Sequence, residues 1–351
     1  MRTATFCFYG ICIEVLAESL NVIQQLENDF VFFQKPTERI DFSFLIRSET
    51  KRPRHWLPFP RIGRSRFYLA PFGELRLCFF EKSWVSYRHH EGKCEIFSDP
   101  STAYEVSLMM LLAYVGEALD RKGIHRIHGL AIAWQGAGAI LLAPSGGGKS
   151  TLAMQLLSDS EIGLLSDDVP WVTSQREILA FPQRIALKSP PLLPPDQYWV
   201  FRRFRYGEKY VVKNSVFREK IAARAPLRWI IIMDSKRGTA SLSQVPRWKL
   251  WIPLLRWLLV GHETPQIWEV FLRLSFRNWL SKVGIFLRRL WLVIKLTTQC
   301  RAANFRTSEN AEESAECLKH FLKNNLRKNN KPASDDFIIP FEENHTAQKA
   351  Y

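Results

Sequence analysis

The segment Leu141 to Ser150, LLAPSGGGKS, constrains this chain more than any other. An apolar run meets three glycines, and Lys149, Ser150 and Thr151 then open the helix-like stretch KSTLAMQLLSD. Glycines let successive backbone N–H groups turn toward one point, and the first turn of a helix adds its partial positive charge. A lysine closing such a loop neutralises phosphate, and the hydroxyl after it can ligate Mg²⁺. The pattern needs strand, loop and helix in that order, so it places the segment in an α/β domain. Ser145, Gly146, Gly147, Gly148, Lys149, Ser150 and Thr151 are the expected nucleotide-binding residues, with ATP and Mg²⁺ as cofactors. The first glycine of the usual G-x-x-x-x-G-K-[ST] pattern is Ala143 here. A flexible turn with an incidental lysine is the competing reading, and the strand-loop-helix context argues against it.

The flanks add chemistry. HGLAIAW and AGAILLA read as two strands joined at Gln135-Gly136, and GLLSDDVPWV reads as a strand carrying Asp167 and Asp168. A strand beside the loop strand would deliver both carboxylates to the phosphate edge. There one carboxylate can face Mg²⁺ and the other can take a proton from an attacking hydroxyl. The expected metal ligands are Ser150 and Asp168. His128, which opens the HGLAIAW strand, would be an ordinary core or surface histidine if taken alone.

At 351 residues the chain holds one large or two ordinary domains. Residues 1–103 read as a small α+β unit: FCFYGICIEV and RFYLAPFGELRLCFFE have strand composition, and ESLNVIQQLENDF has helical spacing. YEVSLMMLLAYVGEALDRKG reads as a helix stopped at Gly123. The loop domain then spans 104–326, with Lys188–Tyr198 as a proline-rich loop, LRWIIIMD and RAANFR as strands, and ENAEESAECLKHFLKNNL as a helix. From 327 to 351 the chain is polar and reads as disordered. The six cysteines are scattered without a Cys-x-x-Cys pair, which argues against a zinc site or a disulfide framework. With no signal-peptide pattern and no clear membrane span, this predicts a cytoplasmic protein.

The net charge of +15 is concentrated. Arg202–Arg224 carries eight Lys/Arg against two Glu, and Arg247–Arg301 carries ten against two, so these spans hold 6 + 8 = 14 of it. Within 248–298, Trp and Leu mix with Arg in two helix-length blocks separated near Gly261 to Pro265. One reading is a helical subdomain with Trp and Leu as core; another is a lid gripping an acidic peptide; a third is an amphipathic surface on an anionic membrane. No nucleic-acid-binding motif accompanies the charge, which argues against nucleic acid as a partner.

Taken together, His128-Gly129, the apolar hairpin, the Gly-Lys-Ser loop and Asp167-Asp168 resemble the catalytic domain of HPr kinase/phosphorylase. The spacings match as well: 149 − 128 = 21 residues and 167 − 149 = 18 residues. The resemblance implies a mixed-sheet P-loop kinase domain related to phosphoenolpyruvate carboxykinase, carrying 248–298 as a helical basic insertion. It further implies phosphoryl transfer to a Ser/Thr hydroxyl of a peptide or small protein. Lys149 would contact phosphate, Ser150 would ligate Mg²⁺, Asp167 would be the general base with Asp168 beside it, and His128 would support the site. The family's glycine-rich segment after the aspartates, with its metal-contacting glutamate, is replaced here by RIALKSPPLLPPDQY. The family's later arginine has no matched position here, and Lys188, Lys213 and Arg224 are the candidates to replace it. These departures argue against the reverse phosphorylase reaction. The chain is closest in character to divergent kinases of peptide natural-product clusters, such as lasso-peptide tailoring kinases, whose acceptor is a ribosomal precursor peptide. The resemblance leaves a homo-oligomer open. The rival classes are an ATPase or interaction module without phosphoacceptor and a kinase for a small-molecule hydroxyl.

Overall fold

Alternation of buried and half-buried residues from Ala4 onward in Arg2–Phe8 (β1) and along Ile11–Ala17 (β2) suits them to one hairpin, turning at Tyr9 and Gly10, both at positive φ. The computed structural model describes residues 1–49, 51, 53–62, 65–70, 74–203, 207–234, 238–263 and 276–326. Cys7 and Cys12 face each other across this hairpin and form a disulfide, which corrects the expectation of no cysteine pairing. The hairpin brings together two thiols that look unrelated as sequence.

Helix α1 (Leu20–Asp29) follows, then β3 (Phe42–Arg47), β4 (Pro58–Ile62), β5 (Ser65–Tyr68), β6 (Glu74–Phe79), β7 (Ser83–Arg88) and β8 (Lys93–Ser98). They form an eight-stranded sheet in the order β1-β2-β3-β8-β7-β6-β5-β4. Helix α2 (Pro100–Arg121) starts with Pro100 in its first turn and Asp99 as cap, whose carboxylate accepts the Ser101 N–H at 2.9 Å. Its Val106, Met110, Leu111, Val115 and Leu119 are buried in the core of this first sheet. That core continues past residue 103, the boundary expected from sequence, and reaches Trp171 of the second sheet and Phe181 just after its strand Glu177–Leu179.

The second sheet contains β9 (Ile124–Arg126), β10 (Leu130–Trp134), β11 (Ala137–Leu142), β12 (Ile162–Ser166), β13 (Trp171–Thr173) and β14 (Glu177–Leu179). It is completed by β18 (Arg224–Asp234), β19 (Ser241–Val245) and β20 (Arg301–Arg306). Between β11 and β12 runs α3 (Lys149–Leu156). EILAFPQRIAL is divided: β14 stays in this sheet, while β15 (Ile185–Leu187) joins β16 (Tyr198–Arg203) and β17 (Gly207–Val212) in a separate three-stranded sheet. The strand order β12-β10-β11-β18-β14-β13-β9, with β20 also on β18, is mixed. β11 pairs with β18 in parallel, whereas β10 is antiparallel to both β11 and β12. The β10–β11 turn at Gln135 and Gly136 has both residues at positive φ, as a two-residue hairpin of this hand requires.

The basic insertion packs on one side of the sheet. A short helix α4 (Trp251–Leu254) runs into a π-helical turn (Leu255–Leu259), and α5 (Phe276–Gln299) returns beside it. Arg247 donates to Thr298 O at 2.7 Å and Arg289 to Leu259 O at 3.3 Å, so the two pieces run antiparallel. Leu250, Leu254, Trp257 and Leu258 are buried with Leu292, Val293 and Leu296. Buried charge fixes the docking onto α2. Asp120 Oδ2 lies 2.5 Å from Arg289 and its Oδ1 2.8 Å from His125, while Lys282 reaches Glu117 at 2.8 Å. Burial alone would raise the Asp120 carboxyl, but Arg289, His125 and Arg126 together hold it down at about 2. The chain closes with α6 (Ala311–Leu326), packed on α3. Among the described residues no helix is long and apolar enough to cross a membrane. The expected polar tail and the start of the second basic block, including Trp268 and Arg273, lie outside the described residues.

Candidate functional site

The sheet register decides what meets at the glycine loop. The loop leaves the carboxyl end of β11, Asp167 leaves the carboxyl end of β12, and His128 precedes the amino end of β10. Because β10 is antiparallel to both neighbours, all three fall on one edge. Asp167 is thus delivered as expected, although β12 is separated from the loop strand by β10 rather than lying beside it. Backbone bonds hold the two crossing segments together: Gly129 N–H donates to Asp168 O and Ile127 N–H to Pro170 O, both at 3.1 Å. A Cβ on Gly129 would meet Leu141 O at 2.7 Å, so this close approach requires glycine.

Gly146 and Gly148 adopt positive φ of 83° and 84°, and Gly148 caps α3. Lys149 is buried at the start of that helix. Its ammonium donates to Ala143 O at 2.9 Å and Pro144 O at 3.0 Å, and lies 2.9 Å from His128 Nε2. Burial lowers the pKa of both Lys149 and His128, and the charge of Lys149 lowers that of His128 further against the pull of Asp168 and Glu263. An Nε2 that accepts from Lys149 leaves the histidine proton on Nδ1, which lies 3.4 Å from Asp168 Oδ1. Asp168 itself is half exposed.

Ser150 Oγ donates to Asp167 Oδ2 at 2.6 Å. The other oxygen of Asp167 is buried without a hydrogen-bond partner. Burial, and then the neighbouring Asp168, push this carboxyl up to about 7, against the opposing pull of Ser150, Lys149 and Lys209. A buried carboxyl that ionises near neutrality, with one oxygen free, is suited to accept a proton. The structure therefore joins Ser150 to Asp167 and His128 to Asp168, and shows no bond between Ser150 and Asp168.

Two participants were not legible beforehand. Glu263 lies in the turn after the π-helix at a positive φ of 66°. Its Oε2 accepts the Ser145 N–H at 2.5 Å and lies 3.2 Å from His128 Nε2. Lys209 on β17 is near enough to Asp167 to lower its pKa. Of the three substitutes for an arginine, Lys188 reaches the loop, its Nζ lying 3.0 Å from where a Cβ on Gly146 would stand. Arg224 does not. It starts β18, eight residues before Ile232, the partner of Leu142 at the loop edge. At strand rise that puts it about 26 Å from this edge, and it lies 3.6 Å from Glu177 instead.

The donor set fits Mg²⁺ with a nucleotide. A serine hydroxyl that donates to Asp167 turns its lone pairs outward, and the half-exposed Asp168 supplies hard oxygen close by. Among the described residues no cluster of three or more His, Cys, Asp or Glu could hold a metal by itself.

No protein-family model matches the chain, and no curated protein does. Among solved structures it is similar to the Hpr(Ser) kinase/phosphatase from Coxiella burnetii. The TM-score is 0.29 at 9% identity, over 58% of this chain and 97% of that one. A likeness at this level carries no weight for fold or function. The mixed α/β architecture and the loop-edge site stand on the geometry above.

Proposed function

We propose that this protein is an ATP-dependent kinase that transfers a phosphoryl group to a Ser or Thr hydroxyl of a peptide or small protein. One observation carries the reading: a buried Asp167 with a free oxygen, ionising near 7, sits on the hydroxyl of Ser150 directly after the loop lysine. Phosphoryl transfer needs mainly positioning and charge stabilisation, and these groups supply both. The loop N–H groups and Lys149 hold the phosphates, with Lys188 over Gly146 as a second cation. Asp167 Oδ1 takes the proton of the acceptor hydroxyl as its oxygen bonds to the γ-phosphorus, and the γ-phosphorus–oxygen bond to the leaving ADP breaks. Mg²⁺, when bound, neutralises phosphate charge, with Ser150 and Asp168 as its protein oxygens. His128 accepts from Lys149 and keeps the ammonium aimed at the loop mouth.

Supporting the acceptor class is the openness of Asp168 beside a buried base, which leaves room for a side chain presented on a chain. The resemblance in residue order to HPr-kinase-type catalytic domains adds to this reading. The test is single-turnover incubation with limiting radiolabelled ATP and a library of Ser- and Thr-bearing peptides. Label should appear on peptide with wild type and be lost with Asp167→Asn, while ATP binding survives. Steady release of free phosphate with no labelled peptide would favour an ATPase module. Label on a small alcohol alone would favour a small-molecule kinase.

A further inference from the structure

The basic insertion is apolar on two sides, and only one of them is used. Its inner side supplies Leu250, Leu254, Trp257, Leu258, Leu292, Val293 and Leu296 to the core. On the outer side of α5, Trp279, Val283, Phe286, Leu287 and Trp291 follow at helical spacing and are exposed, Trp279 by 62% and Trp291 by 64%. The antiparallel first piece continues the theme, with Trp248 exposed by 70% and Ile252 by 76%. Every exposed tryptophan among the described residues lies on this insertion. A water-facing apolar surface of this extent marks a binding face.

Charge selects the occupant. Arg247, Lys249, Arg256 and Arg288 are exposed alongside the apolar residues; Arg247 and Arg288 each give one N–H to a backbone oxygen, of Thr298 and Arg121, and Arg256 lies 4.0 Å from Glu263, whereas Lys282 and Arg289 are turned inward onto Glu117 and Asp120. Glu263 is directed into the loop, so among the described residues of the insertion no acid faces outward with them. Two copies meeting through this face would oppose like charges, which argues against a second copy. Leu287, Arg288 and Trp291 border a cavity shared with Arg121, Lys122 and His125, but Trp279, Val283, Phe286, Trp248 and Ile252 carry the apolar surface beyond it, an extent that fits a broad surface better than a single peptide. Tryptophans and aliphatics flanked by cations, on helices too short in apolar length to cross a bilayer, have the composition of an interfacial element.

We infer that this face docks the protein on an anionic lipid surface, with the tryptophans in the headgroup layer and the arginines and lysines on the headgroups. The docking brings the bilayer to the same insertion whose Glu263 touches the glycine loop, so the site works close to the membrane.

The experiment is flotation of the full chain with vesicles of phosphatidylcholine alone and of equal parts phosphatidylcholine and phosphatidylglycerol, at low and high salt. Wild type should float with the anionic vesicles only and detach as salt rises. Trp279→Ser combined with Trp291→Ser should lower partitioning by roughly tenfold while leaving the thermal midpoint in place, because both side chains are exposed. Failure to float with anionic vesicles overturns the inference. So does equal binding by the double variant. Conversion of a wild-type dimer to monomer by the same substitutions, or binding to acidic peptides without vesicle binding, would assign the face to a protein and overturn it too.

Discussion

Asp167 is placed where activity and stability pull in opposite directions, and Asp167→Asn separates them. In the unfolded chain the carboxyl titrates at its ordinary 3.8, and in the folded protein it titrates at about 7. The difference, 7 − 3.8 = 3.2, corresponds to about 4 kcal/mol at 1.36 kcal/mol per pH unit. Because the folded value is the higher one for an acid, the group is neutral in both states below about pH 4 and costs nothing there. As pH rises from about 4 to 7 the unfolded chain releases the proton while the folded protein retains it, and stability falls; above 7 the full amount is lost. About 3 kcal/mol of that loss develops between pH 5 and pH 8. Asparagine keeps an oxygen for Ser150 and has no proton to lose, so the variant escapes the pH-dependent part. Urea unfolding in nucleotide-free buffer with a chelator, followed by circular dichroism at pH 5 and pH 8, measures the effect. The stability of Asp167→Asn relative to wild type should increase by about 3 kcal/mol between the two, while phosphoryl transfer falls by roughly a hundredfold or more. An unchanged gap between variant and wild type at the two pH values would refute a carboxyl ionising near 7.

Three further outcomes follow from other contacts. Lys149→Ala removes the loop's buried ammonium and should abolish measurable ATP binding by calorimetry while leaving the fold intact by circular dichroism. Glu263 carries a negative charge on the Ser145 N–H and beside His128, where phosphate oxygens would also seek donors; Glu263→Gln should therefore tighten ATP binding by about three- to tenfold, and weaker binding would mean that the carboxylate assists the nucleotide. Arg289→Met strands Asp120 without its main partner and should cost about 3–5 kcal/mol in urea unfolding. A loss under 1 kcal/mol there would mean that apolar packing alone docks the insertion.

What sequence reveals about this chain is what short-range chemistry dictates. The glycines, Lys149 and the helix after them announce their geometry because φ, the helix terminus and the charge are local properties. The Gln135-Gly136 hairpin is equally local, and so is the stop of α2 at Gly123, which adopts a positive φ of 78°. The shared edge of His128, the loop and Asp167 depends on β10 entering between β11 and β12, a fact of register that no short window carries. Glu263 reaches the loop from 118 residues beyond Ser145, through a turn set by the π-helix before it. The Cys7–Cys12 bond needed the hairpin to be recognised as two strands instead of one. The alternation of Trp and Arg in 248–298 could not say which tryptophans face out, because both sides of α5 are apolar and only the packing against α2 and the sheet chooses the inner one.

In the proposed reaction the loop holds ATP in order to give its terminal phosphate to a hydroxyl on a peptide. Intact mass spectrometry of Ser- and Thr-bearing peptides after incubation with the full chain and Mg-ATP tests it most directly. A single added phosphate is expected with wild type and none with Asp167→Asn or Lys149→Ala. Unmodified peptides alongside steady ADP formation by wild type would contradict it.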